Sequence, residues 1–136
     1  MAIEHISTVA CDTLIRSIDG KVSLIGVFRN IAALQMPATK LMGIVVEFIG
    51  EQGDPFSVTL ESDRFPEPMV LAEGNFTSTP RVNEFSQHGA MVTGEANLTF
   101  TEPGVFYVTL QSGDRIVHRT TFGAFIDPNT EGMENV

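Results

Sequence analysis

The residue types able to do chemistry in this 136-residue chain are few and far apart. Its one cysteine, Cys11, stands beside Asp12. A thiol becomes a nucleophile when a base draws off its proton, and His5, His88 or His118 would have to be that base. Cys11 follows Val9-Ala10 in a run of strand formers, however. A free cysteine there is expected to be a small buried hydrophobe, which leaves a cysteine-dependent enzyme as the third choice. The three histidines show no H-x-H or H-E-x-x-H spacing, so nothing along the chain writes a zinc set. The acidic middle is the other candidate. Residues 51–73 hold Glu51, Asp54, Glu61, Asp63, Glu67 and Glu73 against Arg64. Calcium takes several oxygen ligands, and Asp54, Asp63 and Glu67 fall on expected loops, which makes them the weak metal candidates. The D-x-D-x-D-G loop is absent, so a solvated acidic edge is the expected reading. No G-x-S-x-G elbow, phosphate loop or glycosidase carboxylate pair is written either. The expectation is therefore no catalytic residue and no cofactor.

Charge narrows the partners. Eight Lys and Arg face seventeen Asp and Glu, giving a net charge of −9. The basic residues are scattered, and phosphate recognition needs them concentrated. Nucleic acid and anionic membrane surfaces are thus unexpected partners. No apolar run approaches the ~18 residues of a membrane span. The N-terminal residues lack a basic stretch followed by an apolar one, so no signal peptide is expected. With a lone thiol, the expected compartment is the cytoplasm. The Asn75-Phe76-Thr77 and Asn97-Leu98-Thr99 sequons are then chance matches.

The elements that would position these residues are strands. Phe56-Ser57-Val58-Thr59-Leu60-Glu61 alternates apolar and polar, the period of a half-buried strand. Residues 96–101 and 106–111 repeat it. Segments 41–49 and 21–28 are apolar on both faces, as central or covered strands would be. Asp19-Gly20 marks a hairpin between 12–18 and 21–28. Ser112-Gly113-Asp114 marks another turn, and Glu102-Pro103-Gly104 a third, with Gly taking the second corner. Gly26, Gly43 and Gly94 sit singly in strands and suggest bulges or close sheet approach.

This pattern predicts an all-β fold, an antiparallel β-sandwich of seven to eight strands, immunoglobulin-like or jelly-roll-like. The runs are 3–10, 12–18 (one long strand with the first, in one reading), 21–28, 41–49, 56–62, 69–76, 92–101, 105–111 and 115–125. The domain should span residues 1–126, with an acidic flexible tail at 127–136. Residues 29–40 should tuck Ile31, Leu34 and Met36 over an open edge of the core. In 77–91, Thr79-Pro80 would cap one helical turn, with Val82 and Phe85 packing inward and Gly89 ending it.

Several stretches together carry a resemblance. Cys11-Asp12, the run Asp19-Gly20-Lys21-Val22-Ser23-Leu24-Ile25-Gly26-Val27-Phe28, and Met36-Pro37 resemble a family of small uncharacterised bacterial proteins. The closing run Phe100-Thr101-Glu102-Pro103-Gly104-Val105-Phe106-Tyr107 is similar to that family's last strands. The resemblance covers about residues 9–123. It implies a single β-sandwich domain with no assigned activity, and it carries over no catalytic residue. The matched positions read as structural.

Function is thus expected to be protein interaction or assembly, through an apolar sheet face or edge. The partner would be a protein or a second copy, a homodimer included. The alternative is a small-ligand or calcium-dependent binding module at the loops around Asp54, Asp63 and Glu67. What covers 21–28 and 41–49, residues 29–40 or another chain, is the question the sequence poses.

Overall fold

The computed structural model describes residues 3–19, 21–51, 53–63, 67–76 and 89–127. These form nine strands rather than seven or eight: β1 (Glu4–Arg16), β2 (Val22–Phe28), β3 (Asn30–Ala33), β4 (Ala38–Ile49), β5 (Pro55–Glu61), β6 (Met69–Asn75), β7 (Gly89–Phe100), β8 (Gly104–Ser112) and β9 (Arg115–Ile126). They make two sheets, β2-β1-β4-β7 and β3-β9-β8-β5-β6. The fold is the expected all-β sandwich. Every strand pair is antiparallel except β3–β9.

The core follows from the alternation. On β4, Met42, Ile44, Val46 and Phe48 point inward and join Val58 and Leu60 of β5 and Phe106, Val108 and Leu110 of β8 in one buried cluster. Phe48 packs tilted against Phe56 and Phe76, with ring centroids 5.1 and 6.0 Å apart. Each such ring, fully buried, contributes about 1.5–3 kcal/mol. The cluster joins residues of both sheets and fixes how they stack.

Two hairpins stand where the turn residues placed them. β1 and β2 meet at Arg16↔Val22 across Asp19 and its neighbours. The Asp19 carboxylate there accepts from the Lys21 amide and the Ser17 hydroxyl. β8 and β9 close at Gly113, whose φ of +59° is the left-handed turn conformation that glycine tolerates. The Pro103-Gly104 connection is not a hairpin: it carries the chain from one sheet to the other, and Gly104 takes no positive φ.

Residues 29–40 do more than tuck in. Asn30–Ala33 pairs with Gly123 to Ile126 of β9 as the short parallel strand β3, burying Ile31 and Ala33. Met36 packs on the core and Leu34 stays exposed. Four residues are too few to show a period, so the sequence could not announce this strand. The helical turn expected around Thr79, Val82 and Phe85 falls outside the described residues, although Gly89 opens β7 instead of ending a helix. The expected tail beyond Asp127 also falls outside them, and Asp127 itself donates its amide to the Ala33 carbonyl.

Candidate functional site

β1 is the strand that organises the site, because it changes partners midway. Residues Glu4 to Cys11 pair with β4, and Ala10 to Arg16 pair with β2. Past Cys11 the chain leaves β4. A Cβ placed on Gly43 would lie 2.9 Å from the Leu14 Cβ and 3.1 Å from the Cys11 sulfur. Gly43 alternates with the inward Met42 and Ile44, so Leu14 lies on the outer face of β4. Arg16 reaches farther, donating to the Thr93 hydroxyl on β7. The distal half of the β1–β2 hairpin therefore folds back over its own sheet. This is why Cys11 and Val45 are buried although they alternate with core residues. The outer face of β4 around Gly43 and Val45 is thus covered by this hairpin, while Leu41 on the same face stays exposed.

The covering hairpin leaves its own far side bare. Leu14 and Leu24, paired across it, are half-buried. Alternate residues point away: Ile15, Ile25 and Val27 are 46%, 54% and 63% exposed. β2 is also an edge strand, hydrogen-bonded on one side alone among the described residues. Val22–Phe28 contains no charged side chain, whereas edge strands are ordinarily guarded by charges or proline.

Beneath this edge lies a polar pair. Lys40, on the inward face of β4, is almost wholly buried and bonds the Asp12 carboxylate. Its ammonium also sits 5.2 Å from the centroid of the Phe28 ring. Asp12 reaches Lys40 through the place where a side chain on Gly26 would stand, and Gly26 has φ +72°. Cys11, Asp12, Gly26 and Phe28, taken from two separate stretches of the motif, thus come together around Lys40. The lysine gave no signal in the sequence, where a single Lys in a strand reads as a solvated side chain.

Of the sequence candidates for catalysis and metal binding, His5 and His118 meet as stacked rings, and among the described residues the others stand apart. Cys11 donates to the Thr13 carbonyl at 3.4 Å, and burial pushes its thiol pKa up, away from thiolate. His5 lies at the other end of β1 with its imidazole bonded to the Thr8 hydroxyl at 2.7 Å. Asp54 precedes β5 and accepts from the Glu51 amide at 2.9 Å, as a turn cap. Asp63 follows β5, roughly 20 Å away at strand rise. Glu67 is exposed before β6, and residues 64–66 between them are outside the description. Among the described residues no three His, Cys, Asp or Glu side chains gather as a metal set. His88 is outside them as well. A shallow cleft of about 140 Å³ lies beside Ser62, Phe100, Glu102 and Val105. It is smaller than the ~300 Å³ at which small-molecule sites begin.

Residues 6–124 match the model of a family of unknown function, DUF6941. The chain belongs to this family. The match spans the motif stretches quoted above, and DUF6941 has no described activity to carry to these residues. No curated protein matches the chain. Among solved structures it is similar to a β-glucosidase from Listeria innocua (11% identity, TM-score 0.44), over 90% of this chain but 16% of the enzyme. It is also similar to an immunoglobulin-like protein, PA1606, from Pseudomonas aeruginosa (13% identity, TM-score 0.43), over 91% of this chain and 97% of that one. A superoxide reductase (neelaredoxin) from Ignicoccus hospitalis is similar over 91% of this chain and 82% of its own (11% identity, TM-score 0.31). No described helix is long and apolar enough to cross a membrane.

Proposed function

We propose that the domain is a non-catalytic interaction and assembly module whose contact surface is the β2 edge with the bare side of the β1–β2 hairpin. The observation that carries this reading is the uncharged edge of β2, unpaired among the described residues, with Ile15, Ile25 and Val27 standing beside it. An edge of that kind adds an extended strand from another chain, with main-chain hydrogen bonds supplying affinity and alternate side chains supplying selection. The occupant that the sequence of β2 permits is a second copy. An antiparallel pair centred on Ile25 sets the two Ile25 side chains together and closes on itself as a two-fold dimer. It also brings Lys21 toward the partner's Arg29 position, and the Asp19 carboxylate 3.5 Å from Lys21 offsets that repulsion. A single buried thiol fits a reducing cytoplasm, where we place the module.

Sedimentation velocity over a concentration series tests this. The native chain should associate, and the Ile25→Lys, Val27→Lys double variant should stay monomeric. A native chain that is monomeric throughout, sedimenting like the variant, overturns the reading. The rival enzymatic use of Cys11 is tested separately. A buried thiol should react with a disulfide reagent far more slowly in the folded chain than in denaturant, and that result sinks the enzymatic reading.

A further inference from the structure

The two sheets touch at one side through halves of strands that, among the described residues, have a neighbour on one side alone in their own sheet. The β2 pairing of β1 begins at Ala10, so residues 4–9 present a free edge there. The β3 pairing of β9 begins at Gly123, so residues 115–122 do the same. These two free half-edges lie side by side. Two contacts join them: the Arg115 guanidinium donates to the Ile3 carbonyl at 3.0 Å, and the rings of His5 and His118 stack. The imidazole centroids are 3.8 Å apart and the planes 5° from parallel. Parallel rings keep their in-plane lone pairs parallel too, so the two cannot converge on one metal ion. What they share is a face, and a shared face is favourable only while the pair carries at most one proton.

We propose that the His5–His118 stack is an acid-sensitive latch between the two sheets. Near neutral pH the stacked rings hold the seam shut. When both rings are protonated, two like charges stand within a ring's thickness of each other, the stack breaks and the half-edges of β1 and β9 come apart. Among the described residues no carboxylate bonds either ring, although His118 itself is exposed to water. On β1, Glu4 is exposed next to His5. On β4, Glu47 accepts from the Ser7 hydroxyl at 3.3 Å rather than from either ring. On β9, Arg115 adds a positive charge to the same seam. β8 sets apolar Leu110 opposite His118. Burial, followed by the charge His118 can carry, holds His5 below the ordinary histidine range, in keeping with this geometry. The neighbouring Thr120 hydroxyl, buried and without a partner among the described residues, marks the seam as a place of low polar satisfaction. Opening it would present Ile6 and Ile116, already half-exposed, on two newly free strand edges. The device is independent of the β2 edge.

Amide hydrogen exchange on the native chain, expressed as protection factors, tests the latch. Between pH 7.5 and 5.0, residues 4–9 and 115–122 should lose protection at least ten-fold, while β5 and β8 lose little. His118→Phe keeps a ring to stack and cannot charge, so it should abolish the pH dependence. His118→Lys should hold the seam open at pH 7.5. In the native chain the His5 imidazole resonance should titrate below the ordinary histidine range. A seam that stays protected at pH 5.0, or equal loss in His118→Phe, overturns the proposal.

Discussion

β1 carries two polar contacts, and they are opposites. Near its middle, Asp12 and Lys40 form a buried pair of fixed and balanced charge, roofed by Phe28. Near its start, His5 meets His118 as a stack of parallel rings. The first joins strands of one sheet and the second joins the two sheets. A histidine stack keeps its form only above the histidine range. One strand thus has a charge-balanced anchor and, by the proposal above, an acid-sensitive one, and the difference lies in where the counter-charge comes from. Lys40 has Asp12 at hand, whereas no carboxylate among the described residues bonds either imidazole.

The comparison breaks most sharply at the ion pair. Lys40→Met strands Asp12 at the end of the core and should cost about 3 kcal/mol, the low end for a broken buried pair because water reaches the carboxylate. Chemical denaturation measures this, and adding Asp12→Leu should restore most of the loss. Gly26→Ala comes next. Its Cβ would fall on the Asp12 carboxylate in a left-handed backbone, at an expected cost of about 1–3 kcal/mol. The effect of acid is smaller. A histidine held below its ordinary value stabilises the fold fully above pH ~6.5, and that contribution is lost as pH falls below it. The melting temperature should therefore drop from pH 7.5 to 5.0, and drop less in His5→Phe. Smallest is Ile25→Lys, which should change stability within about 0.5 kcal/mol while weakening self-association in sedimentation. If Ile25→Lys instead costs as much as Lys40→Met, the hairpin's bare side is packed and not free.

How legible this was depends on distance along the chain. The alternation of Phe56 to Glu61 and of Phe106 to Gln111 gave strands at once, since a period of two needs only neighbours. Asp19-Gly20 and Gly113 gave two hairpins for the same reason. Gly26, Gly43 and Gly94 were read as close approaches. They meet Asp12, Leu14 and Leu71, partners that no local rule could name. The runs 3–10 and 12–18 already part at Cys11, where β1 changes partner, but nothing local says that the second run folds over Val45. His5 and His118 are too far apart in sequence for spacing to link them. The acidic loops drew attention because their charges cluster in sequence, yet Asp54 and Asp63 stand at opposite ends of a strand. Lys40 drew none and sits at the centre of the motif.

The divided pairing of β1 also bears on the order in which the molecule assembles. Its later half joins β2 across a turn of a few residues, a loop that closes in microseconds. Its earlier half joins β4 over roughly forty residues, and closing so long a loop is entropically slower. The hairpin can therefore exist before the sheet that it will cover. Substitutions at the Asp19 turn should then slow refolding, while those at the His5 end should chiefly speed unfolding.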